Sequence, residues 1–142
     1  MNGNKALPVG EGLLTSPLDP IEEVRLQGSK CGTCGEVLFG HYVTCAHCAS
    51  SDVKDIPLSK KGTLWTYTII YHQPPGQYRG ATNPFVPFVE GLVELPDGVR
   101  VVSFVDIPLD QVKIGMELEL VIYELYKNNE GQPVIAYKFK AA

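Results

Sequence analysis

The stretch Lys30-Cys31-Gly32-Thr33-Cys34-Gly35, answered by Cys45-Ala46-His47-Cys48, decides the architecture. It holds all four cysteines of the chain, as two Cys-x-x-Cys pairs. The two thiolates of such a pair can turn toward one point, and two pairs complete a tetrahedral four-sulfur site for a soft or borderline cation. Cys31, Cys34, Cys45 and Cys48 are therefore read as ligands of one structural metal ion. Zinc is the expected metal, one per chain; a rubredoxin-type iron centre uses the same ligands and stands as the alternative. Disulfides or a redox pair are the remaining readings, and disulfides would require an oxidising compartment. His41 and His47 lie close by, but four sulfurs already saturate the site.

Between the two pairs, Glu36 to Phe39 and His41 to Thr44 are β-prone and meet at Gly40. The expected form is a hairpin that brings Cys34 and Cys45 together at its open end. Gly35 suits a tight knuckle after the first pair, whereas Ala49 departs from that pattern after the second. A segment this small cannot bury enough apolar surface unaided, so metal binding there is expected to be part of folding. Upstream, Met1 to Ser16 reads as an irregular tail. Asp19 can then cap a short helix begun by Pro20, carrying Glu22 and Glu23 in its first turn and ended by Gly28. Its Ile21, Val24 and Leu26 side would dock on the ribbon or on a partner.

Val53 to Leu58 reads as the exit strand of the ribbon and a linker, and Ser59-Lys60-Lys61-Gly62 as a turn. From there the chain is strand after strand. Thr63 to Tyr71 alternates, with Trp65, Tyr67, Ile69 and Tyr71 expected on one face. Phe88 to Leu95 and Val99 to Val105 flank the turn Pro96-Asp97-Gly98, and Glu117 to Glu124 and Val134 to Lys140 alternate again. Five strands with inward apolar positions fit a closed barrel better than an open sheet, because closure removes unprotected edges. The expected fold is mainly β: an N-terminal tail and helix (1–29), a zinc ribbon (30–58) and a five-stranded oligonucleotide/oligosaccharide-binding (OB) barrel (59–142). A five-stranded sandwich is the runner-up.

The 142 residues are 44% apolar and carry a formal charge of −4. That balance offers no general attraction for a phosphate backbone and disfavours nucleic acid as a partner. No apolar run approaches the roughly 20 residues needed to cross a bilayer, and residues 1–12 do not read as a secretory signal. A cytoplasmic protein with reduced thiols is expected. The long connection from His72 to Pro87 holds four prolines, and such connections in compact domains serve binding or are disordered. Arg79 there can pair with a carboxylate or phosphate, and Tyr78, Phe85 and Phe88 can pack on an apolar ligand. His72 has no neighbouring nucleophile or paired carboxylate in the sequence, so the chain reads as catalytically unarmed.

Taken in order, Leu26-x-Gly28-Ser29-Lys30-Cys31-x-x-Cys34-Gly35, Cys45-x-x-Cys48, Gly62 to Ile70, Val93 to Val101 and Ile114 to Leu118 resemble the family that joins a rubredoxin-like zinc ribbon to an OB-fold, long filed as a domain of unknown function. The resemblance spans roughly residues 20 to 140. It implies a non-catalytic accessory subunit that assembles with a thiolase-superfamily enzyme and helps to hold or channel acyl-CoA, with anaerobic aromatic degradation as one setting. A CoA ester would lie at or near the interface, with Tyr71, His72, Tyr78, Arg79, Phe85 and Phe88 as its candidate contacts here. A single-stranded nucleic-acid module and an iron electron carrier are the competing classes.

Overall fold

A computed structural model describes residues 5–74 and 85–142. Nine strands are present among them: β1 (Leu7–Pro8), β2 (Gln27–Cys31), β3 (Val37–Phe39), β4 (Val53–Pro57), β5 (Lys61–Ile70), β6 (Phe88–Glu94), β7 (Arg100–Asp106), β8 (Glu117–Lys127) and β9 (Pro133–Ala141). The barrel consists of β5 to β9. β5, β6 and β7 form an antiparallel meander, β7 pairs in parallel with β9, and β9 pairs antiparallel with β8. β8 returns to β5 through Lys61↔Glu119 and Thr63↔Glu117, which closes the barrel. One parallel pairing between the third and fifth barrel strands, with the first joined to the fourth, is the OB arrangement expected above.

The strands form because their period is two. In β6, Val89, Gly91 and Val93 are buried while Glu90 and Glu94 are exposed; in β7, Val101, Ser103 and Val105 alternate in the same way. Leu64, Leu118 and Phe139 are fully enclosed with them. Each large apolar side chain so buried stabilises the fold by about 1.5–3 kcal/mol. Gly91 faces inward where nothing larger fits, since a Cβ there would lie 2.7 Å from Leu64 Cδ1 and 2.9 Å from Val105 Cγ2.

β5 departs from simple alternation. Its register on β6 shifts between Leu64 and Thr66, so Trp65 is an extra residue in the strand. Such a bulge turns the chain and changes which face a side chain takes. Leu64 is buried and Trp65 is exposed, while Tyr67 and Ile69 pack on the core. The expected single face carrying Trp65 with Tyr67 and Ile69 is therefore corrected.

The ribbon is a three-stranded sheet in the order β3-β2-β4. β2 is central, pairing Gly28↔Phe39 on one side and Gly28↔Ile56 on the other. The anticipated hairpin about Gly40 is replaced by this arrangement: β3 pairs back onto β2, and residues 41–44 carry no strand. Ser29 is the local cause. Its fully buried hydroxyl donates to Gly40 O (2.8 Å) and accepts from Tyr42 N (3.0 Å), which turns the chain away after Gly40.

The N-terminal helix is also corrected. Only one 3-10 turn forms, at Ile21–Glu23; Pro20 takes the capping position with extended backbone and no side-chain cap, and Val24 is extended as well. The following residues are claimed by strand-like pairing, with Thr15 N donating to Arg25 O (2.9 Å), Gln27 N to Leu13 O (2.8 Å) and Leu58 N to Leu26 O (2.9 Å). Three residues of turn cannot outweigh those non-local bonds and the full burial of Leu26. Nor is the upstream segment wholly irregular, because β1 adds in parallel to β9 at Leu7↔Val134 and Pro8↔Ile135.

Leu14, Val24, Leu26 and Leu58 belong to the same buried cluster as the barrel interior, and Val37, Phe39 and Ile56 pack against it. Ribbon and barrel thus share one core. Among the described residues no helix is long and apolar enough to cross a membrane.

Candidate metal centre

β2 runs directly into Cys31, and the turn after it carries Cys34; the stretch after residue 44 presents Cys45 and Cys48 from the opposite side. All four Sγ atoms lie within 4.8 Å of one another, with Cys31 to Cys48 at 3.6 Å and Cys34 to Cys45 at 3.7 Å. A tetrahedron with metal–sulfur bonds of about 2.3 Å has edges of about 3.8 Å, so the donor set fits a four-coordinate cation. The sulfurs converge as one cluster of free thiols rather than as two bonded pairs. Cys31 and Cys45 are buried, while Cys34 and Cys48 reach the surface.

The two halves are built alike. Thr33 N and Cys34 N donate to Cys31 Sγ (3.3 and 3.4 Å), and His47 N and Cys48 N donate to Cys45 Sγ (3.3 and 3.4 Å). Each knuckle closes with a backbone bond, Gly35 N to Cys31 O (3.0 Å) and Ala49 N to Cys45 O (2.8 Å). Both closing residues take a left-handed backbone, Gly35 at φ 81° and Ala49 at φ 67°. Ala49 therefore does the work of a glycine, at a steric cost that the alanine sequence does not announce. Thr33 Oγ1 and Ser50 Oγ, 2.8 Å apart, tie the knuckles together.

The electrostatics disfavour four thiolates standing together unaided. The Cys34 N–H holds the Cys31 thiol down to about 6 against burial, with help from Thr33 N–H and the neighbouring thiols. Cys34 is pulled down by the Glu36 N–H, yet desolvation and the three other sulfurs outweigh this and push it up to about 12. Cys48 is likewise raised, the Ser50 N–H opposing burial and the sulfur of Cys31. One thiolate forms readily and its neighbours then keep their protons, because negative charges this close repel. A divalent ion removes that repulsion.

His41 lies outside the cluster, its Nδ1 donating to Asp55 Oδ1 at 2.8 Å. Of the residues anticipated as acyl-CoA contacts, Tyr78 and Arg79 lie outside the described residues. Tyr71 and His72 are exposed just beyond β5. Phe85 and Phe88 are brought together, ring centroids 6.1 Å apart, and Phe88 meets Phe104 of β7 at 5.7 Å. Lys138 of β9 extends this outer aromatic face, 4.8 Å from the Tyr123 ring and paired with Asp106 at 2.7 Å.

Two further features escaped the sequence reading. Arg100 stacks 4.0 Å over the Trp65 ring and donates to Glu94 at 3.1 Å. The Glu94↔Arg100 register of the hairpin was readable, but the bulge that delivers Trp65 to it was not. A cleft of about 710 Å³ lies beside them, lined by Glu36 and Val37 of the ribbon region and by Lys61, Glu94, Arg100 and Glu117 of the barrel.

Residues 55–122 match the family described as the C-terminal OB-fold domain of ChsH2. The benzoylsuccinyl-CoA thiolase subunit BbsA of Geobacter metallireducens is 32% identical over 115 residues, 81% of this chain and 73% of that protein. A DUF35 domain-containing scaffold protein of Methanothermobacter thermautotrophicus is 33% identical over 121 residues, 84% of this chain and 86% of that one. Among solved structures, the Ltp2-ChsH2(DUF35) aldolase aligns with a TM-score of 0.64 at 26% identity, over 82% of this chain and 84% of that one.

Proposed function

The chain belongs to the DUF35 family with the ChsH2-type OB-fold domain, and from that premise we propose that it is a non-catalytic accessory subunit of a thiolase-superfamily complex. The observation that carries this reading is the likeness to a thiolase subunit over 81% of the chain, a span long enough to take in both ribbon and barrel. A scaffold protein among the relatives and an aldolase structure with a DUF35 component point the same way.

In this reading zinc sits among Cys31, Cys34, Cys45 and Cys48. Four protein sulfurs leave it no open position, so it folds the ribbon and does not activate substrate. The nucleophile and base belong to the partner. The division at 30–58 and 59–142 gives the ribbon to docking and the barrel to the shared cavity.

The long connection after β5 and the aromatic residues beside it help to hold a CoA ester at the interface. Phe85 and Phe88 would pack on its apolar portion, Arg79 would meet phosphate or carboxylate, and Tyr71, His72 and Tyr78 would line the approach. An aromatic acyl group, as in anaerobic aromatic degradation, is the class favoured by the likeness to BbsA.

Co-expression of the untagged chain with a thiolase-fold protein of the same organism tests the assembly. A stable hetero-oligomer that cleaves a CoA ester, with no turnover by this chain alone, is the expected result. A monomer indifferent to both thiolase and CoA would overturn the proposal.

A further inference from the structure

The barrel is closed unevenly. β7 and β9 share backbone pairing only at Val105↔Phe139 and Asp106↔Lys140. Along the rest of β9 on that side, β1 occupies Val134 and Ile135, so Ala136 to Lys138 face β7 without a strand ladder between them. Side chains close this seam. Tyr137 crosses it and donates its hydroxyl to Val102 O (2.9 Å), and Lys138 crosses it to Asp106.

Tyr137 is held from the ribbon. The ring of Phe39, on β3, meets the Tyr137 ring edge-on at 5.9 Å and 89°. Phe39 is fixed in turn by β2, which pairs Gly28 with it and runs three residues further into Cys31. The buried Ser29 hydroxyl pins the turn after Phe39 at Gly40 and Tyr42. A continuous path of bonded and packed groups therefore leads from the four-sulfur cluster to the seam.

We propose that Tyr137 is the latch of the β7–β9 seam and that the metal-folded ribbon, acting through Phe39, keeps it shut. Loss of the ion frees β3, Phe39 withdraws, and the Tyr137 hydroxyl leaves Val102 O. The outward residues of β7, Val102 and Phe104, then lose the framework that presents them. Metal occupancy so regulates the barrel face as well as the ribbon. Burial raises the Tyr137 phenol above its ordinary value, with the Glu90 charge adding to it, so the hydroxyl remains a donor throughout the neutral range.

This inference rests on the metal reading of the cysteines, and the test separates the two. Amide hydrogen exchange is followed by mass spectrometry on the full chain, metal-loaded and after chelation under reducing conditions. Phe39→Ala and Tyr137→Phe are measured in the loaded form with metal content assayed. Both variants are expected to keep their metal and to speed exchange in peptides covering 100–106 and 133–141, leaving 61–70 unchanged. For Tyr137→Phe the acceleration is about fivefold, the effect of one ordinary hydrogen bond. Chelation should accelerate the same peptides in the wild type and add nothing further at the seam in Tyr137→Phe. Unchanged seam exchange in loaded Phe39→Ala would overturn the latch even if the cysteines bind metal as described. If chelation unfolds the whole chain, the loaded variants decide alone.

Discussion

Gly35 and Ala49 show how much the metal centre depends on single backbone conformations. Both close a knuckle in the left-handed region, and only one is a glycine. Gly35→Ala is expected to weaken the ribbon by about 1–2 kcal/mol, the cost of a Cβ in that region. Ala49→Gly should relieve a similar strain, less the backbone entropy that glycine adds. Competition for the metal with a chromophoric chelator measures both, and the two substitutions should move affinity in opposite directions. The clustering of the four cysteines was legible because Cys-x-x-Cys is a local geometric statement. Ala49 was not, since nothing in an alanine marks positive φ. The Cys31 value of about 6 gives a pH test on the metal-free chain. A lowered folded value means the Cys31 thiolate persists at neutral pH and is lost as pH falls through 6, while Cys34 and Cys48 must still release protons to the metal, so cobalt(II) uptake, followed by its thiolate absorbance, should rise with pH between 7 and 8 and fall most steeply below 6.

At the scale of elements, period-two patterning revealed the five barrel strands and the hairpin around Pro96-Asp97-Gly98, because one buried face imposes alternation over the whole strand. Local signals failed where non-local pairing competed with them. Asp19, Pro20 and the acids after them offer a helix start, but Arg25, Gln27 and Leu26 are bonded to residues 10 to 32 positions away. The Gly40 hairpin lost to Ser29 for a similar reason, and the β5 bulge has no sequence mark. Gly91 is the element-scale test of the barrel. Gly91→Ala should destabilise by about 1–3 kcal/mol through overpacking against Leu64 and Val105, lowering the urea midpoint without changing the slope. Trp65, the only tryptophan, reports the bulge. Removing the stacked guanidinium in Arg100→Ala should alter its emission while costing only about 0.5–1 kcal/mol.

For the whole molecule, the shared core matters more than the boundary drawn at residues 58 and 59. The sequence reading divided the chain by motif, ribbon then barrel, whereas Leu26 and Leu58 are buried in one cluster with Leu64 and Phe139. No sequence pattern announces which apolar residues of one segment will meet those of another. Cys34→Ser tests the consequence: metal is lost, the ribbon's protection against exchange disappears, and the far-UV β signal of the barrel persists but melts at a lower temperature, since the barrel loses the part of the core that Leu26 and Leu58 supply. The central claim is that this chain is a metal-tied subunit that shapes another protein's cavity. Native mass spectrometry of the untagged chain co-expressed with a thiolase-fold protein of the same organism tests it most directly. The predicted result is one assembly containing both polypeptides, with a single zinc for every copy of this chain. Recovery of this chain as a separate metal-free monomer, with the thiolase-fold protein assembled without it, would contradict the account.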